Sequence, residues 1–197
     1  MNSEIKCWNC SNTFKKFSFF CSKCNIIQKP VDLDSFKLFN LNYDFSINLK
    51  KLEYEYYALQ KMLHPDKFIN STEKELLYAQ IHASNLNNAY NILVNQVSRS
   101  NELLKCKGEK NKESETFNDL EVLNEVLDLQ EVAENINCQK EKDNLINEIT
   151  QTIEEDVEKL NNYFIEEQLP NAKKLTIKIS YLEKLLKDIK NNVTFTN

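Results

Sequence analysis

The sequence has very few of the residues that make tight turns. Its 197 residues include one glycine and three prolines, whereas strands joined by short hairpins usually depend on these residues. The chain is instead dense in Leu, Ile, Asn, Lys and Glu, most of which favour helix. We therefore expect an all-α protein.

The sequence also lacks long apolar runs and a strong excess of one charge. No stretch approaches about 18 consecutive apolar residues, and the start MNSEIKCWNC resembles neither a signal core nor an arginine-rich leader. Twenty-five basic and 30 acidic residues give a net charge of −5, which argues against nucleic acid as the main partner. We expect neither a membrane nor nucleic acid among the partners.

Four of the six cysteines lie within residues 1–30, a segment too short to fold on a hydrophobic core alone. Cys7 and Cys10 form one Cys-x2-Cys pair, and Cys21 and Cys24 form a second pair after ten further residues. Two such pairs can surround one ion with four thiolates, and zinc suits this ligand set best. We predict a structural zinc site, which leaves no open position for catalysis, and no catalytic cofactor.

Two alternatives for these cysteines remain. Disulfides require an oxidising compartment, and a redox Cys-x2-Cys usually lies at a strand-to-helix junction within a βαβ unit. The sequence shows neither a signal peptide nor such a unit. Cys106 and Cys138 stand alone and are interpreted as ordinary small apolar or surface residues.

The tripeptide His-Pro-Asp at 64–66 separates two helical patterns. The first consists of Leu49, Leu52, Tyr56, Leu59 and Leu63, which are spaced as on one face of a helix. This helix should end at His64, because a residue before proline disfavours helical geometry. Thr72 and Glu75 resemble a capping box that begins a second helix. Two long helices joined by a short loop favour an antiparallel hairpin, with the tripeptide in its loop.

The last third of the chain follows a polar linker at 107–117 and predicts three helices, near 118–138, 141–168 and 171–191. The stripe of the second helix consists of Ile146, Ile149, Ile153, Val157, Leu160 and Phe164, and that of the third consists of Ala172, Leu175, Ile179, Leu182, Leu186 and Ile189. Single stripes of this kind suit a three-helix bundle. The first helix also carries a second apolar face, roughly 130° from its stripe. Leu120, Leu123 and Leu127 form this face, bordered by Asn124, Asp128 and Glu131, and Tyr181 likewise lies off the stripe of the last helix. This face predicts a partner-binding surface, and packing against the preceding helices is the alternative.

Several motifs together resemble the HscB family of iron–sulfur cluster assembly co-chaperones. They are HPDKF at 64–68, LNNAY at 86–90, VSRSNELL at 97–104, VLNEVLDLQE at 122–131 and ISYLEKL at 179–185. CWNC and FFCSKCNIIQKP resemble the zinc-binding extension of its eukaryotic members. The resemblance implies a zinc-binding segment at 1–30, a J-domain with a helical hairpin at 34–106, a linker at 107–117 and a scaffold-binding bundle at 118–197.

The resemblance also implies two partners. A heat-shock chaperone of the DnaK/HscA/mortalin class would bind His64, Pro65 and Asp66, with basic contacts from Lys50, Lys51, Lys61 and Lys67. An IscU-type iron–sulfur scaffold protein would bind Leu123, Asn124, Leu127, Asp128, Glu131 and Tyr181. The chain would deliver the scaffold, stimulate the ATPase of the chaperone and promote cluster transfer and protein maturation, without being an enzyme itself.

Three points remain open at this stage. The family is mainly mitochondrial in eukaryotes, which implies a mitochondrial location, with the cytosol or a reduced mitochondrion-like organelle as alternatives. Self-association is undecided. Two hypotheses from other classes are a zinc-ribbon adaptor with a merely structural helical body, and a thiol–disulfide enzyme that uses Cys7 and Cys10.

Overall fold

A computed structural model describes residues 5–109 and 120–192, without the side chains of residues 120, 121, 123 and 192. Two short strands, β1 (Ile5–Lys6) and β2 (Thr13–Phe14), pair antiparallel near the start. The helices are α1 (Ser35–Leu38), α2 (Leu49–Leu63), α3 (Glu73–Val94), α4 (Gln96–Cys106), α5 (Leu120–Glu134), α6 (Gln139–Ile165) and α7 (Leu169–Asn192). A 3-10 helix, Pro65–Phe68, lies between α2 and α3. The predicted all-α class is confirmed.

The chain divides into two compact units, which we treat separately. Unit 1 comprises Met1–Asn42 and Ile47–Val94, and unit 2 comprises Tyr43–Ser46 and Asn95–Asn197. Helix α4, which the sequence analysis placed in the J-domain, packs against α7 in unit 2. The predicted domain boundaries stay a prediction, and most of the predicted linker, residues 110–117, lies outside the described residues.

Unit 1 contains the predicted helical hairpin, since α2 packs against α3. Helix α2 begins after Asn48, whose side chain accepts a hydrogen bond from the Lys51 N–H, as asparagine at an N-cap commonly does. Leu52 and Leu63 of α2 are buried. The buried residues of α3 recur every three or four positions: Ala79, His82, Leu86, Ala89 and Leu93. The apolar spacing in the sequence therefore predicted most of the packed faces, but Leu49 at the start of α2 is 45% exposed, since the first turn of α2 extends beyond the face that packs on α3.

The start of α3 follows the predicted capping box. The Glu75 N–H donates to Thr72 Oγ1 at 3.3 Å, and the Thr72 N–H donates to Glu75 Oε2 at 3.1 Å. These two bonds satisfy backbone donors that a helix start leaves without partners inside the helix. The cap fixes where the loop after the His-Pro-Asp tripeptide ends.

Unit 2 contains the predicted bundle, in which α7 packs against α5 and α6 and also against α4. The buried face of α7 is shifted by one residue from the prediction at two places. Thr176 and Leu185 are buried, whereas the predicted stripe members Leu175 and Leu186 are only half-buried. A threonine can be buried here because its hydroxyl donates to the Ala172 carbonyl and also bonds the Ser100 hydroxyl of α4.

The core stripe of α6 differs from the prediction in a similar way. Ile149, Ile153, Leu160 and Phe164 are buried as expected, but Ile146 and Val157 are half-buried, and Asp156 is buried. A buried carboxylate requires a charged partner, and an apolar pattern does not reveal one. In the described part of the chain, no helix combines the length and apolar character needed to span a bilayer.

Candidate functional site

The two Cys-x2-Cys pairs fold into two turns with the same backbone hydrogen bonds. The Ser11 N–H donates to the Cys7 carbonyl at 3.1 Å, and the Asn25 N–H donates to the Cys21 carbonyl at 2.8 Å. Ser11 and Asn25 each follow the second cysteine of a pair, and both have left-handed backbone geometry, with φ of 60° and 54°. A left-handed residue turns the chain back tightly, so each turn directs its two thiols toward the same side.

Each turn is closed at its base by a further pairing. The Cys7 N–H donates to the Asn12 carbonyl at 2.8 Å, next to the β1–β2 ladder. The Cys21 N–H donates to the Ile26 carbonyl at 2.9 Å, next to an isolated bridge between Phe20 and Ile27. The two halves of this segment are therefore built alike, although the sequence between the cysteines differs.

The four thiols lie at distances that suit a tetrahedral ion. Cys7 Sγ is 3.7 Å from Cys24 Sγ, and Cys10 Sγ is 3.7 Å from Cys21 Sγ. All four sulfur atoms lie within 4.8 Å of one another. Metal–sulfur bonds of about 2.3 Å in tetrahedral geometry give sulfur–sulfur distances of about 3.8 Å. The four cysteines can therefore hold a metal ion.

Hydrogen bonds prepare some of these thiols for ionisation. Burial raises the pKa of the Cys7 thiol, but the N–H groups of Cys10 and Asn9 and the neighbouring thiols lower it to about 6. A backbone N–H group lowers the pKa of Cys10, whereas burial and the three other thiols raise it to about 11. The cluster thus combines a ready thiolate with a thiol that needs a cation to lose its proton. Metal binding here should release protons.

The four-cysteine segment, residues 5–28, is seated on α3 of unit 1. The Trp8 indole Nε1 donates to the Ile27 carbonyl at 2.8 Å, and its ring lies edge-on to Tyr78 with 6.0 Å between ring centroids. Lys74 places its Nζ 4.2 Å from the centroid of the Trp8 ring, a favourable cation–π geometry. Trp8 was not among the predicted site residues, because its position between Cys7 and Cys10 is the only sign in the sequence that it belongs to the site.

The His-Pro-Asp tripeptide lies exposed at the end of α2. His64 leaves the helix with φ −58° and ψ 127°, and Pro65 begins the 3-10 helix. The Asp66 N–H donates to His64 Nδ1 at 3.3 Å, and Asp66 Oδ2 lies 3.6 Å from the same nitrogen. The two side chains are 53% and 78% exposed. An exposed imidazole and carboxylate are placed to contact a partner.

Two buried side chains hold this exposed loop in place. Leu63 precedes the tripeptide and Phe68 follows it, and both are buried. The 3-10 helix packs against α3, and the Ser71 N–H donates to the Phe68 carbonyl at 3.0 Å. The loop therefore has a defined conformation, although its polar groups face solvent.

Helix α2 presents a continuous exposed face that leads to the tripeptide. The predicted contact residues Lys50, Lys51, Lys61 and Lys67 are all exposed. Lys50, Tyr54, Tyr57 and Lys61 share one face, because their spacings are 4, 3 and 4. Tyr54 and Tyr57 are 74% and 56% exposed. These two tyrosines were not among the predicted contact residues, although their spacing from Lys50 and Lys61 places them on the same helix face.

In unit 2, residues of the predicted scaffold surface come together in two groups. Leu127 is 50% exposed on α5 and Tyr181 is 39% exposed on α7. Both line a hollow of about 620 Å³, whose walls include apolar Ile136 and charged Glu134 and Lys184. Asp128 and Glu131 line a second hollow of about 510 Å³, which also reaches Ile136. Asn124 is exposed on α5, and the side chain of Leu123 lies outside the described residues.

A group of charged residues fixes α5 within unit 2. Lys178 of α7 places its Nζ 2.7 Å from Glu125 Oε1 of α5 and 3.0 Å from Asp156 Oδ2 of α6. Lys159 Nζ lies 3.2 Å from the other oxygen of Asp156. Burial lowers the pKa of Lys178, but the two carboxylates raise it overall. The three helices therefore meet at one charged amine, and this fixes the position of the helix that carries Leu127.

The chain is similar to known proteins over nearly its whole length. A family model described as the HSCB C-terminal oligomerisation domain matches residues 118–190. The iron–sulfur cluster co-chaperone protein HscB homolog of Arabidopsis thaliana is 30% identical over 193 residues, covering 95% of this chain and 74% of the relative. The iron–sulfur cluster co-chaperone protein HscB of mouse is 27% identical over 194 residues, which cover 96% of this chain and 83% of the mouse protein. The crystal structure of human co-chaperone protein HscB matches with a TM-score of 0.87 and 26% identity, and the match covers 94% of this chain and 97% of the human one.

Proposed function

Because this chain belongs to the HscB family of iron–sulfur cluster co-chaperones, we propose that it brings an IscU-type scaffold protein to a heat-shock chaperone of the DnaK/HscA/mortalin class. The exposed His-Pro-Asp tripeptide, held between buried Leu63 and Phe68, is the observation that carries this proposal. The chain itself catalyses no reaction in this role. It changes the rate at which its partner hydrolyses ATP.

The chaperone contact consists of the tripeptide and the exposed face of α2. His64 and Asp66 present an imidazole and a carboxylate at the helix end, and Lys50, Lys61 and Lys67 add positive charge. The ordered 3-10 turn lowers the entropic cost of binding, because the loop already has one conformation. Contact made preferentially with the hydrolysis-competent state of the chaperone shifts its conformational equilibrium toward that state.

The scaffold contact is the surface between α5 and α7, where apolar and charged side chains lie side by side. Leu127 and Tyr181 line one hollow, and the acidic pair Asp128 and Glu131 lies on the adjacent face. Tyrosine is enriched among binding hot spots, and an exposed tyrosine beside an exposed leucine with a polar border suits a partner contact. The scaffold supplies the iron–sulfur cluster as cargo, so no cluster ligand is needed from this chain.

Joining both contacts in one chain increases the effective concentration of scaffold at the chaperone. Stimulation of ATP hydrolysis and scaffold release then occur on the same complex, which promotes cluster transfer. The four cysteines hold a structural zinc ion, whose role is to cross-link residues 5–28. We assign the protein to mitochondria on the basis of its plant and mammalian relatives, and fractionation with an antibody to the chain tests this assignment.

The family description of residues 118–190 as an oligomerisation domain supports a role in protein association. We attribute this role to scaffold binding. Self-association of the chain, which the sequence left undecided, is a separate question that light scattering of the purified protein tests at several concentrations. A mass that stays at that of one chain at all concentrations contradicts self-association.

The function is tested by single-turnover ATP hydrolysis with a matched chaperone and scaffold. Wild type should accelerate hydrolysis, and His64→Gln should abolish the acceleration while scaffold binding by calorimetry is retained. Asn70→Gln, an exposed change in the same loop, is the control and should behave as wild type. Wild type that leaves the hydrolysis rate unchanged, alone and with scaffold, contradicts the proposal.

A further inference from the structure

Two buried polar side chains join the four-cysteine segment to helix α3. Gln28, four residues after the last cysteine of the cluster, is 3% exposed, and His82 of α3 is 2% exposed. A buried polar group destabilises a protein unless it is hydrogen bonded. The hydrogen-bond partners of Gln28 and His82 therefore show which groups these two side chains stabilise.

Gln28 reaches the metal-binding cluster with its side-chain amide. Its Nε2 lies 3.5 Å from Cys7 Sγ and 2.7 Å from the Ile26 carbonyl oxygen. The amide has two N–H donors, so it can serve both acceptors at once. An N–H directed at a thiolate stabilises the negative charge and fixes the orientation of the sulfur. Gln28 is thus placed to support Cys7 as a metal ligand.

His82 holds the main chain of Gln28. Its Nε2 lies 2.8 Å from the Gln28 carbonyl oxygen, and a carbonyl oxygen only accepts, so Nε2 carries the hydrogen. Burial lowers the pKa of His82 although this hydrogen bond raises it, which keeps the ring neutral at pH 7. The His82–Gln28 bond is consequently a neutral N–H···O bond that spans 54 residues of sequence.

Aromatic rings surround this bond. The ring centroids of Phe17 and Phe19 lie 6.0 Å and 5.2 Å from that of His82. Both phenylalanines belong to the stretch between the two cysteine pairs, so folding of that stretch also shields His82. A hydrogen bond is electrostatically stronger in such an apolar environment than in water, and its loss is correspondingly more costly.

We propose that Gln28 and His82 are positioning residues for the four-cysteine metal centre, and that metal binding there is coupled to the stability of α3. The contacts run from Cys7 Sγ to the Gln28 amide, and from the Gln28 main chain to His82. Metal binding fixes Cys7 and so favours the arrangement in which Gln28 meets His82. By thermodynamic linkage, the factor by which metal binding favours the His82–Gln28 contact is also the factor by which that contact strengthens metal binding. This inference does not depend on the proposed co-chaperone activity.

The first test compares metal affinity in variants of the full chain. Zinc affinity is measured by competition with a chromophoric chelator, and Co(II) is used as a spectroscopic probe of the thiolates. Gln28→Met, which keeps the volume but removes the donor, should weaken zinc binding by about 10-fold and shift the thiolate-to-cobalt charge-transfer band. Gln80→Met, an exposed change on α3, should leave both unchanged. An unchanged affinity and an unchanged band in Gln28→Met overturn the role of Gln28.

The second test separates the hydrogen bond of His82 from the space that its ring fills. His82→Leu removes the donor and should also weaken zinc binding by about 10-fold. His82→Gln places an amide N–H close to the position of Nε2 and should recover most of the affinity. Equal zinc affinity in the wild type and both variants overturns the role of His82. Equal weakening in both variants also overturns it, because the donor would then not be what matters.

The third test uses only the wild-type chain and so does not depend on the folding of a variant. Amide hydrogen exchange is compared between the zinc-loaded protein and the protein after chelation. Exchange should accelerate in α3 around residues 78–86, while α6 in unit 2 should exchange at the same rate in both samples. Exchange in α3 that does not change on chelation overturns the coupling.

Discussion

The two proposed partner surfaces are built in opposite ways. The chaperone surface is polar and local: the tripeptide at 64–66 and its 3-10 turn lie within a few residues of the buried anchors Leu63 and Phe68. The scaffold surface combines apolar and charged residues, and its larger hollow is lined by Leu127 and Tyr181, which are 54 residues apart in the sequence. A surface formed by neighbouring residues should keep its conformation when distant residues are substituted. A surface made by two helices depends on how those helices are fixed.

The two surfaces are therefore held in place by different contacts. The tripeptide needs only the end of α2 and the cap of α3, both of which are set by nearby residues. The scaffold surface needs α5 to stay in register with α7, and Lys178 provides this through Glu125 and Asp156. The predictions below alter one surface while the other serves as the internal control.

The largest effect is expected from Lys178→Met. The change leaves the buried Asp156 without its main cation, and breaking a buried ion pair costs about 3–5 kcal/mol. Chemical denaturation should show this loss in unit 2, together with loss of scaffold binding. Lys187→Met, at an exposed position further along the same helix, is the control. Stability within about 1 kcal/mol of wild type would contradict the role of Lys178 in fixing α5.

The next largest effect concerns the hollow between α5 and α7. Leu127→Ala combined with Tyr181→Ala should weaken scaffold binding by at least about 30-fold, since the loss of even one hot-spot side chain costs about 2 kcal/mol or more. Calorimetry measures the binding. Ile165→Ala, an exposed apolar residue of unit 2 outside the hollow, should have little effect. Equal weakening by Ile165→Ala would show that the hollow is not special.

A smaller effect is expected at the cap of α3. Thr72→Ala removes the acceptor of the Glu75 N–H and should reduce the stability of unit 1 by about 1 kcal/mol. Thermal unfolding followed by circular dichroism measures the change, and Ser71→Ala, at the preceding exposed position, is the control. Scaffold binding should be unchanged. Reduced scaffold binding in Thr72→Ala would mean that the two surfaces are not independent.

The smallest effect separates the surfaces by their response to salt. Lys61→Ala removes one exposed charge, which should weaken chaperone binding about two- to threefold at low ionic strength and hardly at all at high ionic strength. Scaffold binding should be less sensitive to salt, because Leu127 and Tyr181, the proposed anchors in the hollow, are uncharged. Fluorescence anisotropy at several salt concentrations measures both affinities. A stronger salt dependence for the scaffold than for the chaperone would reverse the assignment of the surfaces.

The sequence predicted those features that depend on neighbouring residues. The end of α2 at His64 followed from Pro65, the start of α3 followed from Thr72 and Glu75, and the cysteine cluster followed from two Cys-x2-Cys pairs. Each of these is set within a few positions of the chain.

The features that the sequence did not predict join residues far apart in the chain. Asp156 lies in the core of α6 because Lys178 of another helix neutralises it, and an apolar pattern has no signal for such a pair. His82 fell on the predicted apolar stripe of α3, but its partner Gln28 belongs to the four-cysteine segment. The residues of the scaffold surface were predicted from the sequence, but the hollow that Leu127 shares with Tyr181 depends on α7 lying beside α5, which no pattern within either helix predicts.

The central claim is that one chain must carry both surfaces. It is tested most directly by mixing two variants that each retain one surface: His64→Gln, which keeps the scaffold surface, and Leu127→Ala with Tyr181→Ala, which keeps the chaperone surface. Scaffold-dependent ATP hydrolysis by the chaperone is measured in single turnover. Wild type should stimulate it and the mixture should not, because the scaffold is then no longer tethered to the chaperone. A mixture that stimulates hydrolysis as strongly as wild type at the same concentration would contradict delivery by a single chain.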